Sequence, residues 1–301
     1  MKFWILLLFS FSLHAGIEQY FKKAPGKADY HKTRNIDFIY MINLDQRPEK
    51  FKSCVEPLRM YGIYPYRFSA VNGWELSLEL INDVGVPFQP SMAQDKWWGT
   101  YYPLPNFEAQ HEIPYLEGRT YFCHCMSRGA IGIVLSHLSI LQDAYDSGYQ
   151  TIWVMEDDVE VIRHPSLISD MIEALDKTVG KKEWDILFTD QDTKNQKGEY
   201  VSATSCAWRP NFKPKSKSIF EKKKDVGKYF RKVGARFGAY SMIVRRSGMK
   251  KILDFIKKYK IFLPYDMDYY QVPGIQIYTV RKDIVSTQIR APSDNGGPNY
   301  R

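Results

Sequence analysis

Apolar runs of strand length alternate along this chain with segments of helical period. Residues 36–44, Ile36-Asp37-Phe38-Ile39-Tyr40-Met41-Ile42-Asn43-Leu44, read as a first core strand. Asp45-Gln46-Arg47 turns the chain, and Pro48 suits a first helical position. An apolar-periodic helix follows to about residue 61, with Pro57 as an interruption. Residues 63–71 predict a second strand closing on Asn72-Gly73, and 74–81 a short helix. In residues 129–145, Ile133, Val134, Leu138, Leu141 and Ala144 share one helical face, with Gly148 just beyond as a stop. Thr151-Ile152-Trp153-Val154-Met155 reads as a buried strand. A helix at 165–177, strands at 184–190 and 239–244, and a helix at 247–259 follow. An aromatic and acidic turn at 264–270 precedes a last strand at 275–280. The alternation predicts an α/β fold: a mostly parallel sheet flanked by helices, in a single domain spanning 36–290.

Three stretches fall outside that rhythm. Residues 16–35, with Ala24-Pro25-Gly26-Lys27, read as a linker. Residues 84–122 form an irregular insertion rich in Pro and aromatics, including Trp97, Trp98, Tyr101, Tyr102 and Tyr115. It reads either as a flap facing an acceptor or as aromatics packing on one another. Residues 291–301 are rich in Gly, Asn and Pro and read as a flexible tail.

At 301 residues, with 44% hydrophobic and 25% charged positions, the composition is that of an ordinary globular protein large enough for one α/β core. Residues 1–15 carry one cation and an apolar run ending in small residues. They predict a signal peptide cleaved after Ala15, or a short anchor. That places the protein in a secretory lumen or the cell envelope; a cytoplasmic, membrane-apposed protein with a misread leader is the alternative. The net charge of +8 has one source. Ten Lys and Arg lie between Lys213 and Arg236 against Glu221 and Asp225, a local excess of eight. This 209–236 loop reads either as an arm meeting a membrane surface, an anionic glycan or nucleotide phosphates, or as a solvated segment. No nucleic-acid motif accompanies it. Of the four cysteines, Cys123 and Cys125 flank His124, but no second ligand pair supports zinc, which leaves one disulfide or none.

The chemistry concentrates at Glu156-Asp157-Asp158, directly after the apolar run at 151–155. A buried strand ending in three carboxylates puts negative charge at the carboxyl edge of a sheet, where open α/β sheets bind ligands. Adjacent like charges disfavour one another unless a cation neutralises them, and Mg²⁺ or Mn²⁺ bridges carboxylates to phosphates. The plain alternative is an acidic turn or the first turn of a helix.

Several segments, in order, resemble glycosyltransferase family 25, the lipopolysaccharide β-galactosyltransferase and procollagen galactosyltransferase family. They are Tyr40-Met41-Ile42-Asn43-Leu44-Asp45-Gln46-Arg47, Ser69-Ala70-Val71-Asn72-Gly73 and Gly129-Ala130-Ile131-Gly132-Ile133-Val134-Leu135-Ser136-His137. Met155-Glu156-Asp157-Asp158-Val159, Trp184-Asp185-Ile186-Leu187, Gly238-Ala239-Tyr240 and Leu263-Pro264-Tyr265-Asp266 complete the set. The resemblance implies a GT-A, Rossmann-like fold, a UDP-sugar donor (most often UDP-galactose), a divalent ion, Mn²⁺ or Mg²⁺, and a glycan or glycoprotein acceptor. It implies that Asn43, Leu44, Arg47, Asn72, Ser136, His137, Glu156 and Asp157 surround the nucleotide, and that Asp158, with Glu156, ligates the metal. Asp266 falls on the family's downstream acid and is the candidate general base, with Asp268 and Asp190 as alternatives. One departure stands out. All six histidines lie at or before His164, so a late histidine ligand of the GT-A kind has no counterpart, and Asp266, Asp268, Asp294 or water would supply that oxygen.

Each singled-out residue also has a plainer role. Ser136 and His137 are adjacent on a helix, about 100° apart, so they form no nucleophile–base pair, and His137 reads as a site residue or a hydrogen-bonded core histidine. Asp190 could be a cap. Asp266 and Asp268 share a face if that segment is extended. The expectation is a metal-dependent, inverting hexosyltransferase, galactose being the expected sugar. The alternative is a catalytically inactive family member that binds glycan or protein.

Overall fold

The computed structural model describes residues 16–94, 97–105 and 107–297. The leader expected at residues 1–15 and the last residues of the tail, 298–301, lie outside them.

The short apolar runs become strands buried on both faces. They form one eight-stranded sheet in the order Lys223–Val226, Phe230–Val233, Ile277–Val280, Ile186–Phe188, Ser241–Arg245, Thr151–Glu156, Phe38–Asn43, Tyr66–Ser69. Alternation sends Phe38, Tyr40 and Ile42 to one face, under the helices Arg128–Asp146 and Arg246–Tyr259. It sends Ile39 and Met41 to the other, under Pro48–Arg59 and Leu167–Val179. Helices on both faces explain why these strands read as continuous apolar runs rather than as half-polar ones.

The sheet is a mixed one, flanked by helices; Ile277–Val280 pairs in parallel with Ile186–Phe188. Thr151–Glu156 pairs in parallel with Phe38–Asn43, and that strand in parallel with Tyr66–Ser69. Ser241–Arg245 runs antiparallel between Thr151–Glu156 and Ile186–Phe188. The basic segment contributes a hairpin, Lys223–Val226 with Phe230–Val233, antiparallel to Ile277–Val280 at the sheet edge. Lysine-rich composition had suggested a loop there, but the buried Phe230 and Val233 anchor the inner strand.

Other expectations shift in similar ways. Pro57 does not interrupt the first helix, because it sits in its last turn, two residues before Arg59. The 84–122 insertion carries a small antiparallel sheet of Val86–Pro87, Thr120–Cys123, Gly99–Tyr101 and Gln110–Glu112. Residues 16–35 pack on the domain: Ile17 is buried, the Lys22 N–H donates to Ser139 Oγ (2.9 Å), and Lys27 pairs with Asp143 (2.8 Å). Among the described residues, no helix is long and apolar enough to cross a membrane.

Candidate active site

Three parallel strands, Tyr66–Ser69, Phe38–Asn43 and Thr151–Glu156, end side by side, and the amino end of helix Arg128–Asp146 closes over the same edge. Ser127 caps that helix, its Oγ accepting from the Ala130 N–H (3.0 Å). The approach is close enough to demand glycine. A Cβ on Gly132 would lie 2.5 Å from the Val71 carbonyl oxygen, and one on Gly129 would lie 2.7 Å from that of Asn295. Ser136 completes this junction, donating to the Gly132 carbonyl (2.8 Å) while accepting from the Val71 N–H (2.8 Å). It lines the cavity but spends its hydroxyl on joining helix to loop. Asn72 likewise caps its own turn, Oδ1 accepting from the Trp74 N–H (3.1 Å) and Nδ2 donating to Glu75 (2.8 Å).

The cavity at this edge is lined by Asn43, Leu44, Lys50 and the three carboxylates of 156–158. Each carboxylate is held differently. Asp157 accepts from Asn43 Nδ2 (2.6 Å), with Lys50 Nζ 3.9 Å from its other oxygen, and burial raises its pKa. Glu156 meets His137 Nε2 at 2.9 Å, and the His137 ring stacks on Tyr265, centroids 4.1 Å apart and 5° from parallel. Asp158 is the least satisfied: among the described residues its Oδ1 is buried without a hydrogen-bond partner. Burial, then Glu156 and Asp157, push its pKa up to about 7. A carboxylate in that state gains most from a cation.

Among the described residues, no group of three or more His, Cys, Asp or Glu is arranged to hold a metal by itself. The donor set fits a more open site, in which one or two carboxylates and the phosphates of a bound substrate share the ion.

A second cavity shares Glu156, Ile133 and Asn295 with the first and contains Asp266. Asp266 accepts from the Gly238 N–H (3.0 Å), and burial raises its pKa. Gly238, at φ +75°, belongs to a loop held by the buried Arg236, whose Nη1 donates to the Gly238 carbonyl (3.5 Å). The other two acids offered as bases are not presented to either cavity. Asp268 lies on the same four-residue helix, Tyr265–Asp268, so the extended geometry that would align it with Asp266 does not occur. It is buried and ion-paired with Arg209. Asp190 is fully buried, ion-paired with Arg236, and accepts from Tyr240 OH and Ser286 Oγ.

Arg47 is engaged by Asp294 (2.8 Å) and Glu49 (2.6 Å). Residues 292–295, expected to fray, line the first cavity. Lys50 Nζ donates to the Pro292 carbonyl (2.6 Å), Trp74 Nε1 to that of Asp294 (2.9 Å) and Ser127 Oγ to that of Asn295 (2.5 Å). Of the acids named as alternatives to a late histidine ligand, Asp268 is buried against Arg209 away from both cavities, whereas Asp294, ion-paired with Arg47, lines the first. Sequence reasoning passed over Lys50 and Tyr265. Lys50 had a signal, three residues after Arg47 on the first helical turn; Tyr265 had none beyond adjacency to Asp266. In the insertion, Trp97 packs on Trp208 and Phe262, centroids 5.0 Å away in each case, while Trp98 is exposed. All four cysteines are free thiols.

The model of glycosyltransferase family 25 (LPS biosynthesis protein) matches residues 36–269. That range contains the 156–158 acids and Asp266 but not the strap at 292–295. Relatives include a "Glycosyltransferase 25 family member" of Aedes aegypti, 27% identical over 51% of this chain and 21% of its own length. Another of that name, from Drosophila melanogaster, is 26% identical over 56% of this chain and 23% of its own. A human "Inactive glycosyltransferase 25 family member 3" is 27% identical over 59% of this chain and 24% of its own. The chain spans about a quarter of the length of these relatives.

Proposed function

The chain belongs to glycosyltransferase family 25, and on that footing we propose a metal-dependent transferase that moves a hexose, galactose first among candidates, from a UDP-sugar to a glycan or protein-linked hydroxyl with inversion. The reading treats the fold as GT-A, with the nucleotide at the carboxyl edge of the parallel strands. The observation that carries it is the unpartnered Asp158 oxygen within a carboxylate cluster that lines a cavity continuous with Asp266.

In this reading Mn²⁺ or Mg²⁺, when bound, neutralises the diphosphate as it departs. The protein's part is to hold its ligands still. Asn43 fixes Asp157, and His137, braced by Tyr265, fixes Glu156. Asp158, whose Oδ1 has no hydrogen-bond partner among the described residues, would supply the remaining ligand. Asn43, Leu44 and the amino end of helix Arg128–Asp146 border the nucleotide, and Arg47 reaches the phosphates by exchanging Asp294 for them. Asp266, its pKa raised by burial, takes the proton of the acceptor hydroxyl. A single displacement needs one such base and no enzyme nucleophile.

The inactive human relative favours a second reading, a glycan- or protein-binding member without turnover. UDP-sugar hydrolysis with Mn²⁺, screened over several donors, separates the two. Release of UDP from at least one donor supports catalysis, and no release from any donor, with UDP still bound, supports the binding reading.

A further inference from the structure

The excess positive charge converges on one groove at the edge of the sheet, on the side where the chain leaves Asp266. Five lysines, Lys213, Lys215, Lys222, Lys224 and Lys232, reach it from three separate segments. Its apolar lining includes Phe212, Ile219, Tyr270, Val272 and Ile275. Tyr270 and Val272 follow the helix that carries Asp266 by only a few residues.

Two features separate this groove from an ordinary charged sheet edge. First, the basic residues of the hairpin divide by direction. Lys223 pairs with Asp192 (2.9 Å) and Arg231 with Asp225 (2.7 Å), whereas the five groove lysines form no ion pair among the described residues. Secondly, no carboxylate lines the groove. Protecting an edge strand from pairing needs a lysine or two on that strand. It does not need the Lys213–Lys215 loop and the neighbouring strand to turn their cations toward one apolar floor. Unpaired like charges held close repel, and an anion between them removes that cost.

We infer that this groove binds an anionic glycan, a sugar chain bearing phosphate, sulfate or carboxylate groups. Its apolar ring faces rest on Phe212, Ile219 and Ile275, the accessible part of the apolar floor above the buried Tyr270, while its charges meet the lysines. Resting on the glycosyltransferase reading, the groove is the seat for the charged part of the acceptor, and the hydroxyl to be glycosylated extends toward Asp266. A membrane surface is the competing partner for so basic a patch. The groove favours a chain over a surface because its lysines flank a recess and do not stand on a plane.

The test uses the full chain and its Lys222→Glu/Lys224→Glu/Lys232→Glu variant, with melting temperature confirming that both are folded. The probes are a heparin-derived hexasaccharide, neutral maltohexaose and vesicles rich in phosphatidylserine. The expected result is hexasaccharide binding at least about tenfold tighter than that of maltohexaose, weakened by salt, and lost by about tenfold or more in the variant. UDP binding with Mn²⁺ should be unchanged in the variant. Equal binding of charged and neutral sugars, an unaffected variant, or binding of vesicles alone overturns the proposal. Failure of UDP to bind while the hexasaccharide result holds would remove the transferase reading and leave the groove as a glycan site.

Discussion

Asp158 and Asp190 each lie two residues beyond the end of a strand, and the two strands run in the same direction through one sheet. Asp266 and Asp268 share one four-residue helix. Within each pair the acids meet opposite fates. Asp190 and Asp268 are closed off by the buried guanidinium groups of Arg236 and Arg209. Among the described residues Asp158 and Asp266 form no direct ion pair, and both border the cavities. Position at a sheet edge therefore does not decide an acid's surroundings; what differs is whether the fold supplies its counter-charge, and the proposed function assigns that task to a ligand at the other two. The paired acids hold up the site: Arg236 anchors the loop whose Gly238 N–H orients Asp266.

That contrast predicts a separation of activity from stability. Asp158→Asn should lower UDP-sugar turnover by about three orders of magnitude while leaving the melting temperature equal or higher, since it removes an unsatisfied charge. Asp266→Asn should cost about two orders in turnover with UDP affinity retained, read by calorimetry beside steady-state rates. A matching loss of stability in either variant would dissolve the distinction. The reverse should hold for the other pair. Asp268→Ala or Arg209→Ala leaves a buried charge unpaired and should cost about 3–5 kcal/mol in denaturant unfolding. Ser136→Ala, which strands the Val71 N–H, should cost about 1 kcal/mol by the same measurement.

The last effect is one of pH. The folded-state pKa of Asp158 is raised to about 7, so between the ordinary carboxylate range and that value the folded state holds a proton that the unfolded state releases. Metal-free protein should accordingly lose stability as pH rises across that window, and Asp158→Asn should flatten the loss. A wild-type stability that climbs over the same range would contradict the assignment.

Much of this was legible in the sequence, and the unread part has physical causes. The central strands declared themselves because burial on both faces leaves only apolar residues, as in residues 151–155, and the acid triplet was conspicuous against them. The family resemblance singled out Asp266 as the candidate base, and it lies in a cavity adjoining the acid triplet. What the sequence hid was pairing across long separations: nothing local says that Asp268 meets Arg209, 59 positions away, or that Asp190 meets Arg236, 46 away. The 223–233 hairpin was obscured by lysines that avoid the core, since only Phe230 and Val233 of its inner strand are buried. Residues 292–295 read as a tail because their contacts with Lys50, Trp74 and Ser127 run through backbone carbonyls, which leave no mark on composition.

The most direct test of the division between satisfied and unsatisfied acids is calorimetric titration of UDP, with and without Mn²⁺, into the wild-type chain and Asp158→Asn. The account predicts Mn²⁺-dependent uptake by the wild type that disappears in the variant, both remaining folded. Uptake that is equally strong without the ion, or unchanged in Asp158→Asn, would contradict it.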